Sequence, residues 1–315
     1  MDVLSDLLRL MRLDGALFLE GRFSAPWCIE SGRHQIRCLP DGRRHIVFFH
    51  VVTQGRCRVR LKSGGEALEL EAGDIVLVAH DEPHILGSNL QLAPLDTNTL
   101  VRPAPASGLL SMDYDGGGEQ TRLMCGYLAC DPLLSRPLLD ALPRILRVPL
   151  GNGALTQWML CLLERGAMEN QAPSPGSCIM LAKLAELLFV EAMRHHVATR
   201  EIGWLAGLHD RHVSRALALL HEHPTRNWKV EELAAGAGLS RTALTRRFIK
   251  FVGQPPMQYL KRWRLGLAAV ALQDTRRPIA ALAGQYGYDS EAAFNRAFKQ
   301  AYGTPPAAWR RQRAA

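Results

Sequence analysis

Hydrophobic and polar positions change their period twice along the 315-residue chain. Over about residues 15–130 the apolar runs are short and end in turn residues. "IVFFHVV" and "CRVRLKS" flank Gln54–Gly55, and "ALELEAGDIVLVAHDEPHIL" turns at Ala72–Gly73–Asp74. Runs of this kind, punctuated by Gly, Asp and Pro, predict a small antiparallel barrel or sandwich. Residues 87–120 include "PAPASG" and "DGGGEQ" and are expected to form one long loop, a feature that in compact domains is usually functional or disordered. "TRLMCGYLAC" then supplies a last strand.

Across residues 131–200 the apolar spacing becomes three and four, which is helical. In "IMLAKLAELLFVEAMRHHV", Leu181, Leu184, Leu188 and Met193 fall near one stripe, with Lys183, Glu186 and Glu191 largely off it. "QAPSPGS" separates this helix from "LTQWMLCLLERGAM", giving an antiparallel hairpin that packs on the strands, forms a dimer seam, or does both. The reading favours a homodimer. From residue 203 onward every apolar pattern is helical.

That last region writes one pattern twice. "SRTALTRRFIKFVGQPP" (240–256) and "SEAAFNRAFKQAYGTPP" (290–306) match at an offset of 50 residues, pairing Ser240 with Ser290, Arg246 with Arg296, Phe248 with Phe298 and Gly253 with Gly303. The matches have structural work. The serines can cap a helix. Leu244 with Phe248, and Phe294 with Phe298, are four apart and share the buried face. The glycines end the helix where φ is positive. Short helices with small residues, "VEELAAGAGLS" and "IAALAGQYGYDS", precede each copy, so two helix-turn-helix units stand in tandem. The words that differ face outward: Arg241, Thr242, Thr245, Arg246 and Ile249 on the first helix, and Glu291, Ala292, Asn295, Arg296 and Lys299 on the second. Such side chains can meet base edges in a major groove.

Charge sharpens this picture. Residues 203–315 hold 18 Lys+Arg against 7 Asp+Glu, a net +11, whereas residues 1–202 hold 20 against 23, a net −3. The whole positive excess lies on the helical region, as double-stranded DNA binding requires. Arg247, Lys250, Arg262, Arg264, Arg276 and Arg277 are expected on phosphate or in solvent, positioning the domain without reading sequence. Seven cysteines without regular spacing are not a secreted disulfide framework. The charged N-terminus "MDVLSDLLRLMRLDG" reads as a surface helix, not a secretory signal, and no apolar run is long enough to span a membrane. A cytoplasmic protein is expected.

The C-terminal motifs "GLSRTALTRRFIKFVGQPPMQYLKRWRLGLAAVAL" and "IAALAGQYGYDSEAAFNRAFKQAYGTPPAAWRR" resemble the DNA-binding domain of the AraC/XylS family over about residues 206–312. The resemblance implies that each second helix enters one of two adjacent major-groove segments. Carried over by position, it makes Thr242, Thr245 and Arg246, then Glu291, Ala292, Asn295 and Arg296, the base-reading residues. Members of that family are often activators that work with RNA polymerase, the partner expected beside DNA; whether this chain activates or represses is left open by its sequence. "LEAGDIVLVAHDEPHIL" resembles the second motif of the cupin barrels, matching Gly73 and His84, with Ala79 and Asp81 where Pro and Gly are usual. The fold expected is therefore α+β: a cupin-like antiparallel β-barrel (1–130) that senses an effector, a helical hairpin linker (131–202), and an all-α domain with two tandem helix-turn-helix units (203–315).

Three effector chemistries are open. His50, His80, His84 and Cys125 lie near strand ends and could converge on zinc, which takes imidazole and thiolate. Cys28 and Cys125 could be joined by an oxidant if they approach. An organic small molecule could occupy the barrel. The rival reading, a cupin-fold metal-dependent enzyme carrying a DNA-binding domain, is disfavoured because the first motif lacks a His-x-His pair and a Glu. His45 and His50, five apart, point to opposite faces of a regular strand, and no enzyme is expected.

Overall fold

The computed structural model describes residues 3–32, 44–102, 110–149, 154–168, 175–199, 205–274 and 276–313. They divide into two compact units. One holds residues 12–132 and 136–196, and the other joins residues 1–11 and 133–135 to 197–315. This division departs from the three consecutive segments expected from the sequence.

The chain opens with α1 (Val3–Met11), part of the second unit. The first unit follows with β1 (Asp14–Ser24), β2 (Cys28–Ser31), β3 (His45–Gln54), β4 (Arg56–Leu61), β5 (Leu68–Glu71), β6 (Asp74–Val78) and β7 (His84–Gly87). Next come α2 (Thr97–Leu100), β8 (Val101–Arg102), β9 (Leu110–Tyr114), β10 (Gln120–Cys130), α3 (Arg136–Leu139), β11 (Ile145–Pro149), α4 (Ala154–Met168) and α5 (Ser177–Thr199). The strands form a seven-stranded sheet, β11-β6-β3-β10-β1-β9-β8, and a four-stranded sheet, β2-β7-β4-β5. Pairing is antiparallel except between β1 and β9. The two sheets share one core without closing into a single barrel: Phe48, Val52, Val76 and Leu123 from one meet Ile29, Val59, Leu70 and Leu86 from the other.

On β3 the inward Ile46, Phe48 and Val52 alternate with Val47, Phe49 and Val51, which are buried on the other face. Burial on both faces is why "IVFFHVV" is a continuous apolar run. α5 approaches the sheet at Gly15 of β1, where a Cβ would stand 2.8 Å from the Ala182 carbonyl oxygen and 3.0 Å from Ala185 Cβ. The expected stripe of Leu181, Leu184, Leu188 and Met193 is buried.

Two expectations change. The segment 131–200 is not all helical, because Ile145–Pro149 adds an edge strand against β6. Its period of two, with Leu146 and Val148 buried and Arg147 and Pro149 exposed, lasts only five residues and is masked by the helical runs beside it. The expected loop at 87–120 contains α2, β8 and β9, while its "PAPASG" lies outside the described residues, as does most of "QAPSPGS".

The second unit continues through a 3-10 turn at Leu205–Leu208 into α6 (Arg211–Glu222), α7 (Val230–Gly236), α8 (Arg241–Val252), α9 (Pro256–Asp274), α10 (Ile279–Gln285), α11 (Glu291–Tyr302) and α12 (Pro306–Arg313). Its core gathers Leu217, Leu220, Trp228, Leu244, Phe248, Leu272, Phe294, Phe298 and Trp309, together with Val3, Leu7 and Leu10 of α1. The first helix is thus a core element of the helical unit, not a surface helix. Among the described residues, no helix is long and apolar enough to cross a membrane.

Candidate DNA interface and sensor core

Helices α7–α8 and α10–α11 form the two helix-turn-helix units. Ser240 Oγ accepts the N–H of Ala243 at 3.3 Å, and Ser290 Oγ that of Ala293 at 3.2 Å. Gly253 (φ 76°) and Gly303 (φ 75°) close the two helices in the left-handed region. Upstream of the caps the copies are 49 apart, not 50. Leu239 N–H bonds the Ala234 carbonyl as Tyr288 N–H bonds that of Ala283, and Gly238 corresponds to Gly287. The second turn therefore holds one residue more, Asp289, than the first.

Leu244, Phe248, Phe294 and Phe298 are buried as expected. Arg241, Thr242, Arg246, Ile249, Glu291, Ala292, Arg296 and Lys299 are exposed, while Thr245 and Asn295 are half-buried. Arg241 Nη1 lies 2.9 Å from Glu231 Oε1 on α7, so part of its charge is already matched. Arg246 and Arg296 take no hydrogen bond or ion pair among the described residues.

The basic residues expected on phosphate or in solvent divide. Arg264 faces neither: its Nε and Nη2 donate to the carbonyls of Pro224 and Arg226 at 2.6 and 2.7 Å. The φ of 78° at Gly287 favours glycine, and a Cβ there would stand 2.7 Å from Arg264 Nη1. Arg247 is paired with Asp210, 2.7 Å from Nε to Oδ2. Arg277 and Arg262 donate to Gln285 and Gln254 at 2.9 and 3.5 Å. The Lys250 ammonium lies 5.5 Å from the Phe251 ring centre, and Arg276 is exposed.

In the first unit three of the four expected ligands meet. His50 lies on β3 directly across from Cys125 of β10, with its Nδ1 2.9 Å from Cys125 Sγ. Its Nε2 is 2.6 Å from Nε2 of His84, which lies on β7 in the other sheet. His84 Nδ1 is 2.9 Å from the Glu82 carbonyl. That carbonyl can only accept, so the tautomers follow: His84 Nδ1–H donates to Glu82, His50 Nε2–H donates to His84, and Cys125 S–H donates to His50. Burial pushes His84 down to about 4 and His50 well below its ordinary value, the second with help from His84. Burial likewise raises Cys125, with a further push from Cys57, whose own thiol is raised to about 12. The relay is neutral throughout and ties the two sheets together inside an apolar core.

This arrangement does not fit zinc. Nδ1 and Nε2 point away from opposite sides of the His50 ring, so one ion cannot take His50 together with both Cys125 and His84. His80 stands apart, its Nε2 3.2 Å from the Leu142 carbonyl, because β6 ends at Val78 and His80 falls in the turn beyond. Among the described residues no three His, Cys, Asp or Glu side chains are placed to hold a metal ion. His45 is likewise separate, bonded to the Ala79 carbonyl at 2.6 Å. Cys28 is buried on β2 with its thiol raised by burial. Cys28, Cys57, Cys125, Cys130 and Cys161 are thiols outside any disulfide, and the thiol that acts on Cys125 is Cys57, a residue the sequence reading did not single out.

Comparison with known proteins places these features. Residues 2–198 match the family described as "Cupin", and residues 233–312 match the one described as "Helix-turn-helix domain". An AraC-like transcription regulator of Streptomyces antibioticus is 32% identical over 320 residues, covering 99% of each chain. The HTH-type transcriptional regulator AlkR of Acinetobacter baylyi is 28% identical over 84% of this chain and 87% of its own. Among solved structures, ToxT of Vibrio cholerae aligns over 98% of this chain and 99% of its own, at 11% identity and a TM-score of 0.37. With relatives matched from end to end and both helix-turn-helix units in place, the chain belongs to the AraC family of DNA-binding transcription regulators, and its N-terminal domain is of the cupin type.

Proposed function

We propose that this regulator reads an effector through the Cys125–His50–His84 relay and passes the change to the two DNA-reading helices. The observation that carries the reading is the relay's position. Three buried polar side chains cross an apolar core, where such groups are costly unless bonded to one another. They also tie one sheet to the other, so anything that competes for their hydrogen bonds changes how the sheets meet. To regulate, an effector must bind two states with different affinity, and breaking or completing this tie would supply that difference.

The neutrality of the relay favours a small uncharged organic molecule. A cation finds no charge partner there, and an oxidant meets thiols, not the reactive thiolates. The test is DNA binding by the full chain with three probes: zinc, hydrogen peroxide, and a panel of small alcohols and amides. Each is read on the wild type and on Cys125→Val. A panel member that changes affinity in the wild type but not in the variant is the expected result. A probe acting equally on both would reduce the relay to a packing feature.

We also infer a homodimer, acting in the cytoplasm and activating transcription through RNA polymerase. The dimer reading rests on α5, where Ile179 (68% exposed) and Leu187 (48%) are eight residues apart and so share a face. The Ile179→Glu, Leu187→Glu double variant is expected to sediment as a monomer where the wild type sediments as a dimer. A monomeric wild type would exclude the seam.

A further inference from the structure

We propose that Asp210 and His212, in "HDRH" at the start of α6, are positioning residues that set the first DNA-reading helix. The carboxylate of Asp210 has two tasks. Oδ1 accepts the N–H groups of His212 and Val213 at 3.2 and 3.0 Å, capping α6. Oδ2 receives Arg247 of α8, from Nε at 2.7 Å and from Nη2 at 2.5 Å. Both guanidinium nitrogens close on the one oxygen Oδ2 while Oδ1 serves the cap, so a charge-assisted contact ties α8 to the start of α6. The Asp210 side chain is only 7% exposed, against 47% for Arg247, so the anchored end is the buried one. Burial pushes the Asp210 pKa up, but Arg247 and the two capping N–H groups together outweigh it and leave it lowered, while Asp210 raises that of Arg247.

The next grip comes two residues on. His212 Nδ1 is 2.7 Å from the Ala237 carbonyl, in the turn between α7 and α8. Arg211 Nε donates to His212 Nε2 at 3.0 Å, so the proton on His212 is on Nδ1 and points at Ala237. Two side chains at one helix start therefore hold both the turn and the reading helix that follows it. His209, their neighbour, is 2.9 Å from the Val197 carbonyl in α5. The same four residues thus connect the end of the long helix to the first reading helix.

Among the described residues the second helix-turn-helix has no such brace, since buried Ala297 stands where Arg247 stands in the first. Arg247 follows Arg246 directly, so a rotation of α8 that loosens Arg247 carries Thr242, Thr245 and Arg246 with it. A site held by packed, bonded neighbours keeps its geometry to a fraction of an ångström. Arg247 is then a brace, not a phosphate contact.

The experiment compares a duplex selected from a random pool by the wild type with an unselected random duplex of equal length. Asp210→Ser keeps an N-capping oxygen and removes the pair, whereas Arg247→Met leaves the cap untouched. Each single variant is expected to lose about tenfold in affinity for the selected duplex and less than about twofold for the random one. The double variant should lose no more than either single, as residues acting through one contact do. The Tm of each variant, compared with the wild type, identifies any loss of fold. Arg246→Ala, run alongside, separates failure of the brace from failure of α8 as a reader. Equal losses on both duplexes for Arg247→Met, with the salt slope reduced by about one, would make Arg247 a phosphate contact and overturn the proposal. So would tighter binding by Asp210→Ser, or additive losses in the double variant.

Discussion

Replacing Arg246 or Arg296 by alanine is expected to weaken binding to a selected DNA site by about 1–3 kcal/mol each, or about fivefold to 160-fold, since a guanidinium reading a guanine edge supplies a discrimination of that size. Both are exposed and take no hydrogen bond or ion pair among the described residues. They occupy the same place on α8 and α11, capped alike by Ser240 and Ser290. Their partners would lie in different groove segments, so the two losses should add. Preference at one position of the site should relax in each variant, while binding to unrelated DNA changes far less. Arg241→Ala should cost less, because Glu231 already holds that guanidinium. Titrations against selected and random duplexes at two salt concentrations check all of this. Undiminished specificity in both arginine variants would remove α8 and α11 as readers.

The tandem units were legible because their rules are local. A capping serine, apolar residues four apart and a closing glycine all fall within one helix, and their repetition marks the family. What the sequence did not disclose depends on distant partners. Arg247 and Arg264 look like any exposed basic residues until Asp210, 37 residues away, and the carbonyls of Pro224 and Arg226 come to them. Asp289 was missed because the repeat aligns cleanly only from the caps onward. In the sensor core, residue type pointed to His50, His84 and Cys125. It could not say which ring nitrogen faces which partner, and that detail decides against zinc. His80 matched in chemistry but lies past the end of its strand. Its place shows that strand ends set convergence more strictly than residue type does.

The first helix gives the largest departure from the sequence reading and a prediction of similar size. An amphipathic pattern reveals that one face is covered, not what covers it. Here Val3, Leu4, Leu7, Leu10 and Met11 are buried, and Leu10 meets α9 at Gly266, where a Cβ would stand 3.0 Å from its Cδ2. Asp6 Oδ2 is 3.1 Å from Nδ1 of His221, whose Nε2 is 2.6 Å from the Tyr259 hydroxyl. The His221 ring stacks on Trp263 at 4.1 Å. Leu7→Ala should therefore destabilise the helical unit by about 2–5 kcal/mol, although the helix lies some two hundred residues before it in sequence. Hydrogen exchange should report faster opening in α6 and α9 while β3 and β10 keep their protection.

Acid should act at the same contact. Burial lowers the His221 pKa, and the pull of Asp6 in the opposite direction only partly offsets it. Neutral His221 donates Nδ1–H to Asp6 and accepts the Tyr259 O–H. An unfolded histidine takes up its proton near pH 6.5 and the folded one only at lower pH, so the unfolded state binds more protons in that range. Stability of the helical unit is then fully present above about pH 6.5 and falls as the pH drops through the folded value. His221→Gln should flatten this slope. If acid between pH 7 and 5 left α6 and α9 as protected as before, or opened the variant as readily as the wild type, His221 would not be the group that titrates. Loss of protection confined to β3 and β10 would place the acid sensitivity at His50 and His84 instead, whose values are lowered in the same direction.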